Sequence, residues 1–138
     1  MKDKDSFINK LRSSNLRLTD QRIQICKALF DRNTTFHFTI KELHKCLLDK
    51  FTNKVALATV YNTVQALKDK GYLKEISISS DKTYFDTNVS NHHHFFDLNK
   101  KELIDLKDSD VCKVKIKKNL PGKKIQSIEV LVKVANSN

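Results

Sequence analysis

The spacing of the apolar residues changes at Gly71, and this change constrains the fold more than any other feature of the sequence. Before Gly71, apolar residues recur every three or four positions, which predicts amphipathic helices. After it, residues 73–78 and 83–85 have the composition of two strands, joined by a turn at Ser79-Ser80-Asp81-Lys82. Helices followed by a two-stranded hairpin are the layout of a winged helix-turn-helix.

Four helices are predicted before the hairpin, over residues 6–13, 20–31, 39–51 and 58–70. Thr19 is the expected N-cap of the second helix, and Thr39 forms a capping box with Glu42 at the start of the third. One face of the third helix carries Leu43, Cys46, Leu47 and Phe51. In the fourth helix, Val60, Val64 and Leu67 should face inward, and Gly71 follows as a left-handed C-terminal residue.

The rest of the chain predicts a second, smaller unit. We expect an α+β fold class, with a winged-helix domain at 1–87 and a small α/β domain for dimerisation and ligand sensing at 88–138. Strands are predicted near 95–98 and 103–106, a helix over 108–119, and a strand over 128–134, where apolar residues alternate strictly. A core this small supplies only about 3–5 kcal/mol, so we expect a metal or a second copy, and hence a homodimer, to stabilise it.

The charge balance is compatible with nucleic-acid binding without requiring it. The net charge is +10 and the pI is about 9.6, as in many proteins that bind DNA. Residues 1–90 carry sixteen basic and ten acidic residues, and residues 91–138 carry ten and six. Because the excess is spread over both parts, charge alone leaves DNA binding and a simple compositional bias as equal alternatives.

Several protein classes are disfavoured by what the sequence lacks. No apolar run approaches the ~18–20 residues of a transmembrane span, and no secretory signal is present. Cys26, Cys46 and Cys112 are far apart and form no C-x-x-C pair, so a cytoplasmic protein is expected. No Gly-rich phosphate loop, G-x-S-x-G or H-E-x-x-H motif occurs, so we do not expect an enzyme.

The fourth helix has a polar outer surface at its N-terminal end. With the apolar residues inward, the side chains that should point outward are Thr59, Tyr61, Asn62 and Thr63. Asparagine can bond adenine, and threonine can contact a thymine methyl, in the major groove of double-stranded DNA. Arg17 and Arg22 flank the start of the second helix and could reach a minor groove or phosphates. The alternative is an ordinary amphipathic helix with solvated arginines beside it.

The histidines His92-His93-His94 are the second candidate site. In an extended strand, His92 and His94 share one face and His93 lies on the other. His37, Asp86 and Asp105 supply further nitrogen and oxygen ligands, a set that suits Fe(II), Mn(II) or Zn(II). A histidine pair can also bind haem iron axially. The alternative is an exposed polar cluster at a domain junction.

The chain resembles the ferric uptake regulator superfamily in two segments. They are Leu16-Arg17-Leu18-Thr19-Asp20-Gln21-Arg22 and Ala56-Leu57-Ala58-Thr59-Val60-Tyr61-Asn62-Thr63. Two further segments resemble its iron response regulator branch, Thr83-Tyr84-Phe85-Asp86-Thr87-Asn88-Val89 and His92-His93-His94-Phe95-Phe96. The resemblance implies a homodimeric winged-helix regulator of iron homeostasis that binds an AT-rich, roughly palindromic operator. It also implies that Tyr61 contacts thymines and Arg17 enters the minor groove, while Asn62 replaces the family's more common arginine.

By the same resemblance, the family's hinge-region metal site maps onto His37, Asp86, His92, His94 and Asp105, with aspartate twice in place of glutamate. The two C-x-x-C pairs that hold structural zinc in many members are missing, and Asn91 and His93 stand where a second metal site needs other ligands. The branch resemblance adds haem as a candidate ligand of His92, His93 and His94. We therefore predict a transcription regulator controlled by haem or a divalent metal at the interdomain hinge. The alternative is a constitutive, nucleoid-associated DNA-binding protein with an inert histidine cluster.

Overall fold

The computed structural model describes residues 4–50 and 54–137. The chain divides into two compact units, Met1–Val89 and Ser90–Asn138. The helices of the first unit are α1 (Lys4–Ser13), α2 (Asp20–Phe30), α3 (Ile40–Lys50) and α4 (Leu57–Asp69), and its strands are β1 (His37–Phe38), β2 (Lys74–Ser79) and β3 (Lys82–Asp86). The second unit contains β4 (His93–Asp97), β5 (Glu102–Leu106), a short 3-10 helix (Asp108–Asp110) and β6 (Leu131–Val134). No described helix is long and apolar enough to cross a membrane. An α+β fold with a helix-turn-helix unit and a small second unit is thereby confirmed.

The helix starts follow the capping signals. The Thr19 Oγ1 accepts a hydrogen bond from the Arg22 backbone N–H at 3.2 Å. The Glu42 N–H donates to Thr39 Oγ1, and the Thr39 N–H donates to a Glu42 carboxylate oxygen. These bonds satisfy amides that have no partner inside the helix, so both predicted N-termini are confirmed. Phe51, which was expected to extend α3, lies outside the described residues.

The core of the first unit lies among its four helices. Val60, Val64 and Leu67 of α4 are fully buried, as their spacing predicted. They belong to a single apolar cluster that also contains Leu11, Ile25, Leu29, Leu43, Leu47 and Phe85. Cys26 is buried in this cluster, whereas Cys46 is only half-buried. This packing fixes which side of α4 remains outside.

The transition from helix to hairpin occurs at Gly71. Its φ of +92° is the left-handed conformation that glycine adopts without strain. The Gly71 N–H donates to Lys68 O, and the Tyr72 N–H donates to Leu67 O, which closes the helix end. β2 and β3 then form the predicted antiparallel hairpin. The sequence did not indicate the two-residue strand β1, which pairs with the outer side of β3 and places His37 opposite Asp86.

The second unit is a three-stranded sheet with β4 in the centre. β4 runs antiparallel to β5 and parallel to β6. β6 covers only the end of the strand predicted over 128–134. The helix predicted over 108–119 was wrong, because only the 3-10 turn forms there. The physical reason lies in Lys113-Val114-Lys115-Ile116, whose β-branched residues alternate with lysine at period two, a pattern that favours extended chain.

Candidate DNA interface and metal ligands

The N-terminal half of α4 presents a polar surface to solvent. Tyr61 is 52 % exposed, Asn62 is exposed and Thr59 is half-buried. These side chains are held outward because Val60 and Val64, on the opposite side of the helix, are fully buried. An aromatic ring, an amide and a hydroxyl on one rigid helix end have the size and donor–acceptor chemistry to contact base edges in a major groove.

Thr63 does not belong to this surface, contrary to the sequence prediction. Its side chain is fully buried, and its hydroxyl donates to Thr59 O at 2.7 Å. The reason is helix geometry, since a residue three positions after Val60 and four before Leu67 shares their inward face. A polar residue at this position is tolerated because the carbonyl one turn earlier satisfies its hydroxyl.

Arg17 and Arg22 have different surroundings. Arg17 is exposed in the loop between α1 and α2. Arg22 is half-buried in α2, and its Nη1 donates to Arg17 O at 2.8 Å. One Arg22 nitrogen therefore holds the loop that carries Arg17, which makes Arg22 a positioning residue for its neighbour.

A cleft of about 450 Å³ lies beside this loop, between the starts of α2 and α4, and contains Arg22, Gln24 and Thr59. The Arg22 Nε and the Gln24 Oε1 are buried and have no hydrogen-bond partner within the described part of the chain. Gln24 was not among the candidate residues that the sequence patterns indicated. Its position five residues after Thr19, on the first turns of α2, was the only available signal.

The ligand pair of the first unit is built by the β1–β3 pairing. His37 and Asp86 occupy opposite positions in the two strands, and the His37 Nε2 lies 3.0 Å from Asp86 Oδ2. Asp86 is fully buried, and its Oδ1 accepts the Asn88 N–H at 2.8 Å. A buried carboxylate needs such partners, because an unpaired charge inside a protein is costly.

The ligand trio of the second unit consists of His92, which directly precedes β4, His94 in β4 and Asp105 in β5. The Nε2 atoms of His92 and His94 are 3.1 Å and 3.3 Å from the same oxygen of Asp105. His94 and Asp105 are opposite each other in the antiparallel pairing. Both imidazoles are buried, while Asp105 is 38 % exposed. The predicted sharing of one face by His92 and His94 is thus observed.

The hydrogen bonds of His92 fix its tautomer. Its Nδ1 lies 2.7 Å from Ser90 O, and a carbonyl oxygen can only accept, so Nδ1 carries the proton. In the neutral ring, Nε2 then has a lone pair that faces a carboxylate oxygen. Two acceptors in contact need a cation between them, either a proton or a metal ion. Metal-binding histidines are held in this way, by a hydrogen bond from the other ring nitrogen.

His93 has the opposite arrangement, on the other face of β4. Its Nδ1 accepts the Val130 N–H at 2.9 Å, and its Nε2 lies 3.3 Å from Asp108 Oδ1. The neutral ring therefore carries its proton on Nε2, and both nitrogens are engaged. No lone pair remains for iron, so the geometry gives no support to haem ligation by His93. The sequence offered no signal for Asp108 as its partner.

The five residues of the pair and the trio each offer one ligand atom, an imidazole nitrogen or a carboxylate oxygen. This set fits Fe(II), Mn(II) or Zn(II), and it contains no thiolate. The trio, with two imidazoles and one carboxylate, is by itself the donor set of a 2-His-1-carboxylate Fe(II) site, and the pair adds one imidazole and one carboxylate.

The comparisons with known proteins address the family and the fold. The ferric uptake regulator family profile matches residues 13–133. Peroxide-responsive repressors from Staphylococcus epidermidis and Staphylococcus aureus are 34 % identical over 90 residues, which is 65 % of this chain. The match covers 58 % and 59 % of those repressors, so it spans less than two thirds of their length.

Solved structures agree on the fold. The ferric uptake regulator of Pseudomonas aeruginosa with manganese superposes with a TM-score of 0.69 at 17 % identity, over 96 % of this chain and 98 % of that one. The Vibrio cholerae ferric uptake regulator gives a TM-score of 0.68 at 19 % identity, over 93 % and 98 %. Because the family profile covers most of the sequence, from the end of α1 into β6, the chain belongs to the ferric uptake regulator family.

Proposed function

We propose that this protein is a transcription regulator whose DNA binding is controlled by a divalent metal ion. The observation that carries the proposal is the His92 tautomer, which directs an Nε2 lone pair at a carboxylate oxygen, an arrangement that a metal ion between the two atoms would satisfy. The exposed end of α4 supplies the surface that would contact DNA. Iron is the metal we favour, in keeping with the resemblance to the iron response regulator branch.

In the DNA-binding role, α4 lies in the major groove and Tyr61 and Asn62 contact base edges. Thr59 is half-buried, and the exposed part of its side chain can contact a phosphate or a thymine methyl. Arg17 reaches a minor groove or a phosphate, held in place by the bond from Arg22. Thr63 supports this surface from below, through its bond to the Thr59 carbonyl.

The DNA-binding role is tested by selecting an operator from random duplexes and measuring affinity by fluorescence anisotropy. Tyr61→Ala should reduce the preference for the selected duplex over a scrambled one by roughly 5- to 150-fold, since a good base contact contributes about 1–3 kcal/mol of discrimination. Asp69→Ala, at the other end of the same helix, is the matched control and should retain the preference. Full selectivity in Tyr61→Ala would refute the assignment.

We further propose that one metal ion uses ligands from both units, namely His37, Asp86, His92, His94 and Asp105. The family resemblance assigns all five residues to one site, the pair would add two ligands to the three of the trio, and only residues 87–91 separate Asp86 from His92 in the sequence. The ion would supply positive charge to the two carboxylates. Because a metal that binds both units restrains their relative orientation, it would change how well two copies fit one operator.

This site is tested by titrating the metal-free protein with Mn(II), followed by calorimetry, and by repeating the operator measurement with and without metal. Wild type should bind one equivalent per chain with a changed operator affinity. Asp86→Asn and Asp105→Asn should each weaken binding, and if either leaves it intact the ion is confined to one unit. Metal binding without any effect on DNA would favour the constitutive DNA-binding alternative. Haemin is titrated in parallel, and a saturable Soret shift would support haem as the ligand in place of a divalent metal.

A second input, hydrogen peroxide, is suggested by the names of the staphylococcal relatives. We propose that peroxide lowers operator affinity in the Fe(II)-loaded protein and not in the Mn(II)-loaded protein. Mass spectrometry of the peptide containing His92 and His94 would show whether oxygen is added there. An equal response of both metal forms would instead point to the thiols of exposed Cys112 and half-buried Cys46, and no response would exclude peroxide.

A homodimer completes the proposal. The three-stranded sheet of the second unit ends at β5 and β6, and an edge strand can pair with another chain. Ile104 of β5 is 41 % exposed. Analytical ultracentrifugation should give twice the chain mass of 16.0 kDa, with two chains bound per operator. A monomer at micromolar concentration, with or without metal, would contradict this part.

A further inference from the structure

We propose that residues 112–127, here called the basic segment, bind the phosphate backbone of the DNA that flanks the operator. The inference deepens the proposed function and rests on it. It adds a second DNA contact, in the unit that does not carry α4. The ligand chemistry is a polyanionic duplex without sequence preference.

The charge of the basic segment is of one sign. It contains six lysines and no acidic residue between Asp110 and Glu129. The lysines are Lys113, Lys115, Lys117, Lys118, Lys123 and Lys124. Six of the ten lysines of residues 91–138 therefore lie in this stretch, which makes it the most positive part of the second unit. Such a run attracts a polyanion and repels a second copy of itself.

The basic segment is also poorly packed within its own chain. Every residue from 112 to 127 is exposed, and none belongs to a helix or a strand. Its larger apolar residues remain in solvent, with Ile116 at 51 % exposure, Ile125 at 53 % and Leu120 at 65 %. A segment whose backbone bonds and side chains are this open can follow the contour of a partner at little cost.

The sequence pattern separates the two kinds of side chain. In extended chain, Lys113, Lys115 and Lys117 point to one side, while Val114 and Ile116 point to the other. The apolar side can pack against protein while the ammonium groups remain free for phosphates. Lysine is suited to this task because it acts as a point charge that needs no particular base geometry.

The expected size of the effect follows from counterion release. Each phosphate contact contributes about 0.9 to the slope of log K against log salt. A fourfold rise in salt therefore weakens binding about threefold for each contact. Three lost contacts per chain are six for the proposed dimer and would lower the slope by roughly five units, a change that a salt titration resolves.

The test uses the full chain and the selected operator in two lengths, one with no flanking DNA and one with 15 base pairs (about 50 Å) of flank on each side. The variant is Lys113→Gln/Lys115→Gln/Lys117→Gln. The matched control is Lys100→Gln/Lys107→Gln/Lys133→Gln, which removes the same charge from exposed lysines of the same unit. Circular dichroism and metal titration verify that both variants are folded.

The proposal predicts a reduced salt slope and weaker binding for the first triple variant on the long duplex alone. Equal slopes for the two triple variants on both duplexes would overturn it. Binding to vesicles of phosphatidylserine and phosphatidylcholine that only the first variant loses, with unchanged DNA slopes, would assign the segment to membranes and likewise overturn it. If neither wild type nor any variant prefers the short operator to a scrambled duplex of the same length, the proposed function itself is refuted. The failure of the further inference and the failure of the proposed function therefore give different results.

Discussion

The two units of this protein hold their structure by different means. The first buries a continuous apolar cluster that extends from Phe7 in α1 to Phe85 in β3. Among the described residues of the second unit, the buried apolar side chains are Phe96, Leu103 and Leu106, none of them fully buried, and His92, His93 and His94 are buried as well. Packing is largely indifferent to solution conditions, whereas imidazole–carboxylate contacts depend on protons and metal. The unit with the smaller core is therefore the one a ligand can control.

The largest expected effect separates the two cores. Phe38→Ala should lower the free energy of unfolding of the first unit by about 3–5 kcal/mol, because it removes a fully buried ring that stacks on Phe36 and Phe85. Phe96→Ala should instead open only the second unit, and Mn(II) should partly restore it. Native-state hydrogen exchange measures the free energy of opening of each unit separately. The comparison fails if Phe96→Ala also exposes the α2 and α4 amides.

The next effect separates the two faces of β4. His92→Ala should weaken Mn(II) binding at least tenfold, since even partners of metal ligands contribute 10- to 100-fold. His93→Ala should leave metal affinity within about threefold. It should destabilise the second unit by about 1–3 kcal/mol, because the Val130 N–H loses its acceptor. Calorimetry and urea unfolding measure the two quantities. Equal losses of metal affinity in the two variants would place His93 among the ligands.

A smaller effect concerns the cysteines. Burial raises the pKa of the Cys26 thiol from 9.0 to about 12, partly offset by the charge of Lys10. The unfolded chain therefore ionises this thiol first as pH rises. Its contribution to stability is complete below pH 9 and is lost at about 1.4 kcal/mol per pH unit up to pH 12. Cys26→Ala should flatten the dependence of unfolding free energy on pH between 9 and 10.5.

Thiol labelling provides the control for that titration. At pH 8, exposed Cys112 should react with Ellman's reagent within minutes, half-buried Cys46 more slowly, and Cys26 only on unfolding. Fast labelling of Cys26 in the native protein would contradict both its burial and its raised pKa.

The smallest effect uses the two glycines. Gly71 and Gly122 have φ values of +92° and +73°, and a Cβ at either would contact nothing within 4 Å. Gly71→Ala should cost about 1 kcal/mol from backbone strain alone, because α4 and β2 hold the conformation on both sides. Gly122→Ala should cost less than about 0.5 kcal/mol, since the basic segment around it can relax. Equal costs in thermal unfolding would mean that the basic segment is as firmly held as the wing.

The local order of the first unit was predictable because its signals are local. Thr19, the Thr39–Glu42 capping box and Gly71 each act within four residues of the bond they determine. The prediction over 108–119 failed because a helical pattern and a period-two pattern overlap there. Because there is little core for a helix to pack against, the β-branched residues Val114 and Ile116 favour an extended chain there.

The residue types were enough to identify the candidate metal ligands. They were not enough to predict all the hydrogen bonds that orient the imidazole rings. His37, Asp86, His92, His94 and Asp105 were identified as candidates from spacing and family resemblance. The His92 Nδ1 donates to Ser90 O, which is only two residues earlier in the chain. The bond that His93 accepts comes from Val130, 37 residues later, and no local pattern specifies it.

The sequence by itself determined the helices of the first unit, the N-caps of α2 and α3, the wing, the alternation of the histidines and the family. Each depends on contacts between near neighbours or on residue identity. Only the tertiary structure decided that Thr63 is core, that β1 places His37 beside Asp86, and that the basic segment stays exposed. Those outcomes depend on how much apolar surface distant elements can cover, and that quantity is settled when the elements pack.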